Sequence, residues 1–292
     1  MWRIKTSTIN RDLHKNLNDT TYSLHSPKRA NRIKILAMSN ELIERAIGVF
    51  DSGVGGLTVL AELQRSLPNE SFIYLGDTAR VPYGSRSPET IIRYSKRVAG
   101  HLVKTKIKVL VIACNTATSY ALEELQRACK PFNIEVFGVI EPGARAALDA
   151  SKTKQIAILG TEGTILGKKY NQILEALCPA VQIQEKACPL FVPLIEEGWH
   201  QKKVTEIIAE EYLQNIINVD TVILGCTHYP LMKPLLESLR PNMTFIDSAE
   251  ATAEFVRCSL EKKGLLSKVK TSKTSYLVTD NLQRFQRVGY YF

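Results

Sequence analysis

At 292 residues, with 45% hydrophobic and 23% charged content, the chain has the make-up of a soluble globular protein with one large core or two smaller ones. No apolar run approaches the ~20 residues of a bilayer-spanning helix. The net charge of +9 would suit nucleic acid, but residues 1–37 hold eight Lys/Arg against Asp12 and Asp19, and the rest of the chain carries only +3.

Residues 1–45 are polar and lack periodicity, and read as a basic, disordered extension. A true start at Met38 and a transit-like leader are the other readings of this stretch. The first strand is expected at 46–50. Asp51-Ser52-Gly53-Val54-Gly55-Gly56 then makes a glycine-rich turn into a helix. It fails both nucleotide patterns: a Walker loop needs a Lys that is absent, and Thr58 stands where G-x-G-x-x-G needs glycine. What remains is a tight turn with outward N–H groups, suited to a small anion such as a carboxylate. Asp51 fits either a helix N-cap or a site residue.

A second strand, 71–75, runs into a loop over 76–85. Its Pro82-Tyr83-Gly84 stretch is a rigid turn and a candidate binding loop. A helix from Pro88 to about Lys104 leads to the run Val109-Leu110-Val111-Ile112-Ala113, which reads as a buried parallel strand. It ends in Cys114-Asn115-Thr116, where Asn115 and Thr116 are good helix N-caps. Cys114 therefore falls at a strand's carboxyl end, where open α/β sheets bind ligands. The adjoining helix N-terminus favours a thiolate.

A strand over 134–140 is expected to end in a turn at Glu141-Pro142-Gly143. The strand at 155–160 and Thr161 restart the pattern of the first strand. A stiff segment over 188–198, with Pro189 and Pro193, leads to Glu196-Glu197 at the start of a helix, and Glu196 is a candidate to face the cleft. The strand at 221–225, followed by Cys226-Thr227-His228 and a helix, repeats the Cys114 arrangement. Strands at 244–247 and 275–279 follow, the last returning to the first half. Asp51 to Cys114 spans 63 residues and Thr161 to Cys226 spans 65, as expected of two similar α/β halves facing one another.

The six cysteines form no C-x-x-C pair and no zinc-type cluster, so free thiols in a reducing cytoplasm are expected. Cys129, Cys178, Cys188 and Cys258 lack the strand, cysteine and cap context and read as core or incidental.

Taken together, Gly48-Val49-Phe50-Asp51-Ser52-Gly53-Val54-Gly55-Gly56, Gly76-Asp77-Thr78 with Pro82-Tyr83-Gly84, Ala113-Cys114-Asn115-Thr116-Ala117-Thr118 and Gly225-Cys226-Thr227-His228-Tyr229-Pro230-Leu231 resemble the glutamate racemases, within the aspartate/glutamate racemase superfamily. The resemblance covers roughly residues 46–285. It implies two three-layer α/β domains with mainly parallel sheets, related by a pseudo-twofold axis with the site between them: residues 46–140 plus 254–292, and 141–253. It also implies interconversion of L-glutamate and D-glutamate for peptidoglycan without cofactor or metal, in a homodimer. By the same resemblance Cys114 serves the D-enantiomer with Asp51 assisting, and Cys226 serves the L-enantiomer with His228 and Glu196 assisting. Asp51, Ser52, Tyr83, Gly84, Asn115, Thr116, Thr161, Thr227 and His228 hold the substrate. The Val-Ile-Glu-Pro-Gly-Ala-Arg stretch over 139–145 resembles members that need no cell-wall precursor as activator, and none is expected here.

The residues account for that reaction independently. Racemisation takes a weakly acidic proton from one face of Cα and returns one to the other. Two cysteines from facing halves supply an acid/base group on each face. Thiols near ~8.5, lowered by their surroundings, reach both forms. Backbone N–H groups around a carboxylate would stabilise the carbanion. Alone, His228 reads as a satisfied structural histidine; two residues from Cys226, it becomes a site candidate. The alternatives are an aspartate racemase, a nucleic-acid binder acting through the basic extension, and a thiol–disulfide enzyme. The binder leaves the paired cysteines unexplained, and a disulfide would fill the cleft.

Overall fold

The computed structural model describes residues 41–269 and 272–292; the expected extension, except for its last residues, lies outside them. From β1 (Ile47–Asp51) the chain alternates strand and helix: α1 (Leu57–Ser66), β2 (Phe72–Gly76), α2 (Pro88–Lys104), β3 (Val109–Ile112), α3 (Asn115–Cys129) and β4 (Glu135–Gly138). A second run follows: α4 (Ile140–Ala150), β5 (Gln155–Gly160), α5 (Glu162–Leu166), α6 (Lys169–Leu177), β6 (Gln182–Ala187), α7 (Phe191–Glu196), α8 (Lys203–Leu213), β7 (Thr221–Gly225), α9 (Lys233–Leu239) and β8 (Thr244–Asp247). The chain then recrosses through α10 (Ser248–Lys262) to β9 (Thr274–Val278) and α11 (Leu282–Gly289).

Two parallel sheets result, in the orders β4-β3-β1-β2-β9 and β6-β5-β7-β8. Their inner strands are apolar throughout because helices cover both faces; every residue of β1, β3 and β7 is buried. The alternation of side chains divides the first sheet between two cores. Ile47 and Val49 pack with Leu60 and Leu63 of α1 and with Ala253 and Val256 of α10. Phe50, Leu110 and Ile112 pack with Ile91 and Leu102 of α2 and with Ala117 and Ala121 of α3. The second sheet repeats this, with α7 and α8 on one face and α4 and α6 on the other. Truncating such a residue, Ile112→Ala for example, costs roughly 2–5 kcal/mol.

In each sheet the strand order reverses between its first and third strands in sequence, β1 and β3 in one and β5 and β7 in the other. The carboxyl ends at such a switch point form a crevice. Asp51 and Cys114 stand at one crevice, Thr161 and Cys226 at the other.

The structure departs from the sequence reading in five places. Glu141-Pro142-Gly143 is the first turn of α4, where the N–H that proline lacks has no helical partner in any case. Glu196 closes α7 and does not open a helix. Cys226 is followed by a 3₁₀ turn, Tyr229–Met232, with Pro230 in it, before α9 begins. The strand β6 had no apolar run to announce it, because its residues lie half-exposed at the sheet edge. The change of sheet falls at Ser248, since α10 packs into the first core from Ala249 onward; the boundary at 254 cuts this helix. Among the described residues no helix is long and apolar enough to cross a membrane.

Candidate active site

Cys114 is the N-cap of α3 and its sulfur accepts from the Ala117 N–H at 3.4 Å. Ser52, in the β1–α1 turn, lines the same cavity as the thiol. Asp51 is fully buried behind this turn. Its Oδ2 accepts from the Gly53 N–H at 2.8 Å, while Oδ1 has no partner. Burial raises the Asp51 pKa, against the pull of the Gly53 amide and of His228.

Cys226 is set just beyond β7, with its Sγ 3.9 Å from His228 Nδ1. His228 Nε2 lies 3.1 Å from Glu196 Oε1, and Glu196 Oε2 accepts from Arg284 of α11 at 2.9 Å. Burial works against the charge on Glu196, but His228 and Arg284 outweigh it and hold the carboxyl below its ordinary range. The His228 ring meets Phe292 edge-on, with centroids 5.3 Å apart. The chain's last helix thus reaches over the second sheet to the group beside Cys226.

The thiols are less acidic than the sequence suggests. Burial, reinforced by the nearby Asp51 charge, pushes Cys114 up to about 11 despite the Ala117 amide. Burial pushes Cys226 higher still. A single helix terminus does not offset full desolvation, so burial favours the thiol form of both cysteines. All six cysteines are free.

Cys114 and Cys226 line one inner cavity of about 40 Å³. Ser52, Tyr83, Gly84, Asn115, Thr116, Thr161, Thr227 and His228 line it too, so nearly every residue expected around the substrate converges there. Asp51 and Glu196 do not: Asp51 lies beneath the Ser52 turn, and Glu196 lies behind His228 on the wall of a wider cavity of about 500 Å³. The two cavities share Val81, Pro82, Gly84, Thr161 and Val192. Tyr83 reaches the cavity with its hydroxyl already used, donating to Asp77 at 2.7 Å.

The lobes meet through small polar groups. Thr116 and Thr161 hydroxyls are 2.8 Å apart, the Gly163 N–H donates to the Gly84 carbonyl at 2.7 Å, and Thr58 donates to the Thr227 carbonyl at 3.0 Å. Gly55 permits the last approach: a Cβ there would lie 2.3 Å from His228 Nδ1. Sequence reasoning passed over Asp77, Tyr170 and Arg284. Asp77 stood in a quoted motif without a role, Tyr170 reads as a core aromatic, and nothing local marks Arg284 among the arginines of exposed helix faces.

Two thiols facing one cavity from matched crevices can take a proton from one side of a carbon and return one to the other. The chain belongs to the Asp/Glu/hydantoin racemase family, whose profile matches residues 47–256. Within it, the chain is 48% identical over 249 residues to the glutamate racemase of Geobacter metallireducens, covering 84% of this chain and 91% of that one. Among solved structures, a glutamate racemase isoform from Bacillus anthracis superposes with a TM-score of 0.80 at 38% identity, over 84% of this chain and 92% of that one. The Francisella tularensis glutamate racemase, solved with D-glutamate, gives 0.80 at 34% identity, over 85% and 92%.

Proposed function

We propose that this protein interconverts L-glutamate and D-glutamate by proton transfer between Cα and two cysteines, without a cofactor. The observation that carries the reading is that Cys114 and Cys226, each at the carboxyl end of a switch-point strand, line one cavity. Sequence identity of 48% to a glutamate racemase over most of the chain supports glutamate as substrate.

In the direction from D to L, Cys114 takes the Cα proton and Cys226 delivers one to the opposite face; the reverse direction exchanges their roles. Because burial favours the thiol form, the cysteine acting as base first gives up its own proton. Asp51 is the acceptor placed behind Cys114, and His228, oriented by Glu196, is the acceptor beside Cys226. Ser52, Asn115, Thr116, Thr161 and Thr227 offer hydroxyl, amide and backbone donors for the two carboxylates, and their N–H groups stabilise the carbanion. The inner cavity joins the wider one through Val81, Pro82, Gly84, Thr161 and Val192, which line both. Substrate reaches the two thiols through the wider cavity, and the buried position of Cys114 and Cys226 keeps water from the carbanion.

In this reading the enzyme is a cytoplasmic homodimer of two-domain chains, with residues 46–140 and the C-terminal segment in one domain. It supplies D-glutamate to peptidoglycan and needs no obligatory activator. Circular dichroism of D-glutamate incubated with the protein tests the substrate. The expected outcome is decay of the signal to zero with D-glutamate and little change with D-aspartate. Decay with D-aspartate alone would assign the sister activity.

A further inference from the structure

Asn115 presents an unusual pattern of bonds. It is 2% exposed, it lines the inner cavity, and its Oδ1 accepts from the Tyr170 hydroxyl at 2.8 Å while its Nδ2 has no partner. A buried amide N–H₂ without an acceptor is costly unless something fills the cavity it faces. Tyr170 comes from α6 on the other lobe, and Asn115 opens α3 on the first. The phenol is buried in the core between α6 and β5.

The direction of this bond sets the amide's orientation. A phenol has one proton to donate. Here that proton goes to Asn115, and the group receiving it is the amide carbonyl. The amide is thereby turned with its two N–H donors toward the cavity, where an anionic substrate can accept them. The opposite orientation would set a carbonyl oxygen against a carboxylate.

We propose that Tyr170 is a positioning residue that acts through Asn115: it holds the amide in its donating orientation and, because it crosses between lobes, ties that orientation to the way the lobes meet. The inference rests on the glutamate reading above and adds a residue and a contact to it. Tyr170 does not touch substrate; its effect passes entirely through the Asn115 amide.

A double-mutant cycle on the full chain, with racemisation followed in both directions, tests this. Tyr170→Phe keeps the ring and its packing and removes only the hydroxyl. It is expected to lower kcat/KM ~10-fold, the upper range for one lost hydrogen bond. The enantiomers have equal free energy, so the fall must be the same in both directions, which checks the assay internally. In an Asn115→Ala background the same change is expected to cost less than ~2-fold, since the partner is gone. Melting temperatures identify any variant that acts by unfolding. If wild type racemises glutamate and Tyr170→Phe costs the same in both backgrounds, Tyr170 is merely structural and the inference fails alone. If wild type leaves glutamate unchanged, the functional reading fails and takes the inference with it.

Discussion

Gly55→Ala is a single methyl placed where the two lobes meet. The added Cβ would lie 2.3 Å from His228 Nδ1, 2.5 Å from His228 Cε1 and 2.4 Å from Thr227 Oγ1. Ordinary van der Waals contact begins near 3.4 Å, so one side must retreat by about 1 Å. His228 has nowhere to go: it is 4% exposed, bonded to Glu196 at 3.1 Å and packed against Phe292. Overpacking of this kind costs about 1–3 kcal/mol, which for a chain of this size lowers the melting temperature by roughly 2–10 °C. The activity should suffer more. A displacement of ~1 Å at a proton-transfer centre is worth ~10²-fold in rate, and both the histidine beside Cys226 and a substrate-holding threonine are displaced. The assay is the rate of loss of ellipticity from D-glutamate, with a thermal melt on the same sample. A variant with wild-type kcat, KM and melting temperature would refute the close approach of the lobes and the role given to His228.

Glu196 is held below its ordinary pKa in the folded protein, so it stabilises the fold above the unfolded carboxylate value of about 4.3 and loses that contribution as pH falls through its folded value. Urea midpoints for wild type and Glu196→Gln should therefore lie apart at pH 6 and converge toward pH 3; curves that stay parallel would contradict the assignment. Arg284→Ala should lower kcat ~10-fold by loosening the Glu196 and His228 pair while leaving the fold intact, because Arg284 is about half-exposed and exposed ion pairs contribute at most ~1 kcal/mol to stability. Asp77→Asn removes a buried charge that accepts from Tyr83 and Thr279 and pairs with Arg80, and should raise KM and destabilise by about 2–3 kcal/mol, measured by urea unfolding. Iodoacetamide at pH 7.5 should label the partly exposed Cys178 and Cys258 well before the buried Cys114 and Cys226. Labelling of Cys114 should quicken as pH climbs toward about 11, read by mass spectrometry.

The strands ending at Asp51, Cys114, Thr161 and Cys226 were legible in the sequence because parallel strands buried on both faces leave continuous apolar runs. The cleft residues were legible for a related reason: a switch-point crevice collects whatever follows those strands, so position along the chain stood in for position in space. The edge strand β6 was hidden by its own exposure, since Gln182 to Ala187 never alternate or cluster as core residues do. Arg284 and Tyr170 were hidden because their meaning lies in contacts of long sequence separation: Arg284 meets Glu196 88 positions away, and Tyr170 meets Asn115 55 away. The thiol acidities were misjudged because a cap and a helix end are visible in sequence while total burial is not; here burial is the larger effect.

The central claim is that two thiols on opposite faces of Cα share the work. It is tested most directly by racemisation of L-glutamate in D₂O, with the deuterium content of both enantiomers read at early times. The delivering thiol exchanges with solvent before each turnover, so the account predicts D-glutamate deuterated at Cα from the first turnover and remaining L-glutamate still protiated. No D-glutamate should form in Cys114→Ala or in Cys226→Ala, whose L-glutamate stays protiated. D-Glutamate that keeps the substrate's own proton, or a single-cysteine variant that still racemises, would contradict it.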